Sequence, residues 1–230
     1  MIGTGTPRKI LMIRHGETNE NKAIRFQGHS GGPLNATGRQ QAEACKSRLS
    51  ALSIVACMSS DLVRAAETAE VLCAERSGLV VQQDLRLREV DVGAWAGLNR
   101  DALLQAFPDE YRAWEAGVDV QRGGGETYAN VADRVVETLL EFDRRSPPGL
   151  LLVVSHGGAI RATLARLIGC PQSHLTSIRN TAASLIDFYP NAPNAQLGQS
   201  ETAKTPNGPF GVLLLFNDVL HLSLDPLFNA

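Results

Sequence analysis

Ile10-Leu11-Met12-Ile13 runs directly into Arg14-His15-Gly16-Glu17-Thr18. Four apolar residues in unbroken succession fit a strand covered on both faces. Runs of the same kind recur at 53–57, 150–154, 184–188 and 212–216, rich in Val, Ile and Leu. Helical periodicities separate them. Thr37 and Gln40 have capping-box spacing, and Ala42, Cys45, Leu49 and Leu52 follow on one face. Asp61 is the expected cap of a helix ending near Arg76, with Gly78 as its stop. Val131, Val135, Leu139 and Phe142 line another helix, whose charged face over 133–145 is expected to be solvated. Ile160, Leu164 and Leu167 line a fourth, ended by Gly169 and Pro171. Strands alternating with helices predict an α/β fold, a three-layer α/β/α sandwich around a mostly parallel central sheet.

The length of 230 residues suits a single domain over 1–230 that needs no disulfide or metal staple. Two segments break the rhythm. Residues 99–125 hold short helical pieces around Pro108, with Tyr111, Trp114 and a glycine run, and read as a lid insert. Residues 190–209 are rich in Asn, Gly, Pro, Ser and Thr and read as a surface loop. The net charge of −2 gives no electrostatic basis for nucleic-acid or anionic-membrane partners, so an anionic substrate must meet a positive field built locally. Cys45, Cys57, Cys73 and Cys170 lack metal or redox spacing and are expected to be buried thiols in a reducing compartment. No apolar run reaches the roughly 20 residues that span a bilayer, and no signal pattern precedes Arg8. The expectation is a cytoplasmic protein.

Chemistry concentrates where strands end. In open α/β sheets ligands bind beyond the strands' carboxyl ends. There Arg14 offers a planar fork for phosphate oxygens and His15 a nucleophilic nitrogen. The run 150–154 repeats the arrangement, leading into Ser155-His156-Gly157-Gly158 and a helix whose N-terminal N–H groups suit an anion. Ser59-Ser60-Asp61-Leu62-Val63-Arg64 follows the second strand, and Leu87-Arg88-Glu89-Val90-Asp91-Val92-Gly93-Ala94-Trp95-Ala96-Gly97 occupies a loop.

Taken in order, these blocks resemble the histidine phosphatase superfamily, the phosphoglycerate-mutase-like group. The likeness extends through Asn21, Arg25-Phe26-Gln27-Gly28, Pro33-Leu34, Gly38, Gly124-Gly125-Glu126, Asn180, and Asn217-Asp218 to His221-Leu222. It implies that His15 is the phosphate carrier and that Arg14, Arg64 and His156 surround the phosphoryl group. Glu89 would be the proton donor. Asn21, Gln27, Gly28 and the Gly157 backbone would add phosphate or substrate contacts. Two arginines and a second histidine supply the required field without a metal or other cofactor, and they favour a neutral, nucleophilic His15.

Three enzymatic or binding readings share this site. Phosphomonoester hydrolysis fits best, because the mutase branch typically carries Asn before the acid and Arg after it, whereas this chain has Arg88 and Val90. Phosphoglycerate-mutase-type transfer is the alternative. A phosphate-binding module without chemistry is disfavoured by the intact set of five residues. Many relatives carry Glu where this chain has Ala96. Arg122 replaces a frequent proline and is a candidate for a distal anionic group. Tyr111, Arg112 and Trp114 are candidate leaving-group contacts. His29 is a candidate substrate contact, and His174 and His221 are expected to be structural. The expected partner is a small phosphorylated molecule, and any self-association is expected to be a C₂ homodimer.

Overall fold

Alternate residues of the first strand serve opposite layers. Ile10 and Met12 belong to one apolar cluster, and Leu11 and Ile13 to another across the sheet. This period-2 partition explains a continuous apolar run in place of alternation. The computed structural model describes residues 6–191 and 208–222. The elements are β1 (Arg8–Arg14), α1 (Asn19–Lys22), α2 (Ala36–Leu49), β2 (Ile54–Ser59), α3 (Val63–Cys73), β3 (Val81–Gln83), α4 (Arg100–Ala106), α5 (Pro108–Glu115), α6 (Tyr128–Arg145), β4 (Leu150–Ser155), α7 (Gly157–Ile168), β5 (Ala183–Tyr189) and β6 (Phe210–Asp218). The expected loop 190–209 falls almost wholly on residues outside those described.

One sheet carries the strands in the order β3-β2-β4-β1-β5-β6. Pairing is parallel among β1, β4, β2 and β3, and antiparallel from β1 to β5 to β6. The mostly parallel α/β sandwich is therefore the observed fold. Val131, Leu139 and Phe142 of α6, with Ile160 and Leu164 of α7, cover the Ile10 face. Cys45 and Leu49 of α2, with Ala65, Ala69 and Leu72 of α3, cover the Leu11 face. Each large apolar side chain so buried contributes ~1.5–3 kcal/mol.

Several local expectations fail for identifiable reasons. The cap of α2 is Asn35, whose side chain accepts from Gly38 N at 2.8 Å, so Thr37 lies inside the helix. Capping boxes form instead at Thr18 with Asn21 and at Thr127 with Asn130. Asp61 does not cap α3; it accepts from Arg88 Nε at 2.8 Å. The helix ends at Cys73, and Arg76 turns back to donate to the carbonyls of Leu49 and Leu52. Strand β3 has three residues and no apolar run to announce it. Strand β6 lies at the sheet's edge with Val212 and Leu214 exposed, so it lacks the expected double cover.

Residues of the segment 99–125 join Phe26 and the loop before them in a third apolar cluster. Trp95, Leu103 and Tyr111 are its buried centre, with Phe26 and Trp114 packed against them. Phe26 and Trp114 meet edge to face at 5.4 Å between ring centroids, a favoured aromatic geometry. Cys45, Cys57 and Cys73 are buried as expected, and Cys170 is half-buried. Among the described residues no helix is long and apolar enough to cross a membrane.

Candidate active site

Parallel register brings the two strand-end histidines together. Arg14 of β1 is paired with Ser155 of β4, so the next residue of each strand, His15 and His156, emerges beside the other. Their ring centroids are 5.1 Å apart. The backbone of His15 is fixed on both sides. Its N–H donates to Ser155 O at 3.0 Å, and its carbonyl accepts from Asn180 Nδ2 at 3.0 Å. Its ring Nδ1 lies 2.7 Å from Gly16 O. A carbonyl only accepts, so Nδ1 holds the proton and Nε2 keeps its lone pair. Burial, then the charges of Arg14 and Arg64, hold His15 well below the usual imidazole range. A neutral ring with an unprotonated Nε2 is the result.

The arginines are held by backbone carbonyls rather than carboxylates. Arg14 Nη1 donates to Ile178 O at 2.6 Å. Arg64, on α3, donates to Ser30 O and Gly28 O at 2.7 and 2.8 Å. Neither makes an ion pair among the described residues, and the Nε of each is buried without a partner. Burial lowers Arg14 and brings Arg64 down to about 10, which leaves Arg64 charged near neutrality. His156 is wholly buried, and neither of its ring nitrogens has a hydrogen-bond partner among the described residues. Burial first, then Arg64, His15 and Arg14, depress its pKa well below normal.

Glu89 sits where the sequence placed a substrate anion. Its oxygens accept from Gly158 N and Ala159 N at 3.1 and 3.0 Å, in the first turn of α7, and from Val90 N at 2.9 Å. The helix dipole therefore faces this carboxylate. Gly158 is required for the approach, since a Cβ there would stand 2.5 Å from Glu89 Oε1. A cavity of about 260 Å³ joins these groups. Arg14, His15, Asn21, Gln27, Arg64, Glu89 and Gly157 are in its wall. The arrangement offers a nucleophile, a carboxylate and fixed positive charge around one space, which suits phosphoryl transfer.

The histidine phosphatase superfamily (branch 1) profile matches residues 10–199. The chain belongs to the histidine phosphatase superfamily. A probable phosphoglycerate mutase, GpmB, of Salmonella choleraesuis is 36% identical over 186 residues, covering 78% of this chain and 85% of that protein. A glucosyl-3-phosphoglycerate phosphatase of Mycolicibacterium vanbaalenii is 35% identical over 171 residues, covering 71% and 76%. Among solved structures, a mycobacterial glucosyl-3-phosphoglycerate phosphatase complexed with VO3 superposes with a TM-score of 0.78 at 30% identity, over 91% and 98% of the two chains. A putative α-ribazole-5′-P phosphatase of Escherichia coli gives 0.72 at 28%, over 92% and 98%. This chain is thus a histidine phosphatase superfamily enzyme, with phosphatases and a mutase among its named relatives.

Not every expected residue of this histidine phosphatase faces the cavity. Gly28 stands behind Arg64 as its carbonyl partner, and His156 stands behind His15. His29 is tied to Glu89 O at 2.8 Å and is absent from the cavity wall. Arg112 is exposed beside Asp109, away from the site. Tyr111 is buried in the insert's cluster, and Trp114 reaches the wall. Ala96 is exposed, so the missing carboxylate leaves no gap in packing. His221 takes the expected structural role, with Nε2 2.9 Å from Thr181 Oγ1, and burial pushes it down to about 4.

One residue was misread outright. Arg134, on the face of α6 expected to be solvated, donates to the carbonyls of Arg86, Arg88 and Glu89 at 2.7, 2.8 and 2.9 Å. It also pairs with Glu126 at 2.8 Å. It braces the loop that presents Glu89. Its carbonyl partners lie 45 to 48 residues away in sequence, and no local pattern marks it. Arg25 and Arg161 also line the cavity unannounced.

Proposed function

We propose that this enzyme hydrolyses phosphomonoesters of small metabolites without a metal, through a phosphohistidine on His15. The observation that carries the reading is the neutral His15, with Nδ1 committed to Gly16 O and Nε2 free beside Arg14 and Arg64. Nε2 attacks phosphorus and the ester P–O bond breaks. The leaving alkoxide takes a proton from Glu89. Water then attacks the phosphohistidine, Glu89 takes its proton, and the P–N electron pair returns to Nε2. Alcohol and phosphate leave, and Glu89 regains its starting proton.

Arg14 and Arg64 stabilise the charge that spreads over the phosphoryl oxygens, and His156 acts from behind the His15 ring. Asn21, Gln27 and the Gly157 backbone orient the phosphate, and Gly28 acts through Arg64. The insert at 99–125 serves as the lid, with Trp114 over the leaving group. The test is phosphorus NMR on a panel of phosphomonoesters with chelator present. Phosphate release that disappears in His15→Ala is the expected result. Undiminished turnover in that variant removes the mechanism.

Mutase transfer is the second reading, favoured by the 36% identity to a probable phosphoglycerate mutase. It predicts interconversion of 3- and 2-phosphoglycerate that depends on 2,3-bisphosphoglycerate. Val90, an apolar residue in the cavity wall directly after the acid, favours hydrolysis by leaving no cation there.

A further inference from the structure

The cavity holds more positive charge than one phosphate needs. Five arginines line it, Arg14, Arg25, Arg64, Arg122 and Arg161, against the single carboxylate of Glu89. With His15 neutral and Glu89 ionised, before it takes up the proton that it transfers, the wall carries a net charge of +4. A phosphomonoester supplies about −1.5 to −2 near neutral pH. None of the five arginines makes an ion pair among the described residues, whereas eleven other basic side chains do. The chain as a whole is at −2, so this excess is local.

Arg122 is the unusual member. It is 2% exposed and its Nε is buried without a partner. Among the described residues its guanidinium makes one long hydrogen bond, from Nη2 to Glu126 O at 3.5 Å. A buried guanidinium without a carboxylate is costly unless something else pairs with it. It is held rigidly, with Cζ 3.7 Å from the centroid of the Tyr128 ring, while Gly123 N beside it donates to Glu110 Oε1 at 2.5 Å. Arg161 approaches the same ring from α7, at 5.3 Å, and donates to Tyr128 Oη at 2.9 Å. Two like charges thus share one aromatic ring within the cavity wall. A planar guanidinium held this way suits two-point contact with a carboxylate or phosphate.

We propose that Arg122 and Arg161 form a second anion subsite, and that the preferred substrates are phosphomonoesters carrying a further carboxylate or phosphate. This rests on the phosphatase reading of the same cavity. The remaining wall charge, after the transferring phosphate, is about what a second anion neutralises. Trp114, Tyr128 and Arg161 also line an adjoining recess of about 400 Å³, which leaves room for a substituent beyond the second anion.

The test compares twins that differ in one charged group: 3-phosphoglycerate with glycerol 3-phosphate, 6-phosphogluconate with sorbitol 6-phosphate, and fructose 1,6-bisphosphate with fructose 6-phosphate. We expect kcat/KM for the charged twin to exceed that of the neutral one by tenfold or more in at least one pair. Arg122→Gln and Arg161→Gln should bring that ratio toward one, and Arg112→Gln, on the exposed face of α5, should preserve it. Ratios under threefold in every pair, or a ratio that survives both cavity variants, overturn the subsite. If no ester releases phosphate, the phosphatase reading fails instead. The subsite is then decided by calorimetric binding of the same twins: a charged-twin preference lost in Arg122→Gln supports it, and equal binding overturns it.

Discussion

Acidification should weaken this fold before the ion-paired carboxylates are protonated, because two histidines are buried without charge. His15 and His156 are both held well below the ordinary imidazole range, first by burial and then by the nearby arginines. In the unfolded chain each titrates near 6.5. A depressed histidine stabilises the fold fully above that value, and the contribution is lost as pH falls below it. At pH 5 an unfolded histidine has gained about 2 kcal/mol of protonation free energy relative to pH 7.5. Two such residues give a loss of at most about 4 kcal/mol, against the 5–15 kcal/mol typical of a domain. His221, pushed to about 4, adds a smaller contribution because it is half-exposed. Asp61, Asp84, Glu126 and Asp218 are all lowered, so their contributions fade only below about pH 5. Urea denaturation in phosphate-free buffer at pH 7.5 and 5.0 isolates the histidines. The wild type should lose stability over that interval, with the two histidines contributing at most about 4 kcal/mol. His156→Gln, which cannot titrate there, should lose about half as much. Equal losses in the two proteins, or a wild type as stable at pH 5.0 as at 7.5, refute the claim that His156 is buried neutral.

Glu89→Gln should lower kcat by about 10²–10⁴ with little change in KM, since it removes proton transfer and keeps the side chain's shape; steady-state kinetics on the best ester reads both. Gly158→Ala places a Cβ 2.5 Å from Glu89 Oε1 and 3.0 Å from Val90 Cγ2, and should cut kcat about tenfold or more with a smaller proportional loss in the thermal melt, because Glu89's hydrogen bonds are disturbed more than the core. Trp95→Ala empties the centre of the insert's cluster and should cost ~3–5 kcal/mol in denaturant unfolding, with a raised KM as Phe26 and Trp114 lose their support.

Much of this enzyme was legible along the chain because it depends on neighbours in sequence. Apolar runs at 10–13 and 150–154 end in Arg14-His15-Gly16 and Ser155-His156-Gly157, and strand termini in an α/β sheet are where ligands bind. Helix faces at Val131, Val135 and Leu139 follow from period alone. Local competition already blurred the signals, as when Asn35 rather than Thr37 capped α2 and Asp61 was drawn to Arg88. Tertiary structure decided what no window of sequence holds. The Arg14–Ser155 register sets the two histidines side by side. The amides of α7 went to Glu89, which chain spacing of 69 and 70 residues does not foretell. Arg134 looked like any solvated helical charge until folding placed three carbonyls around it. Burial is likewise a property of the packed chain, and it keeps His15 neutral and leaves Arg122 without an ion pair among the described residues. Sequence determines which groups are available and where strands and helices start. Desolvation and proximity, which set their reactivity, exist only once distant segments meet.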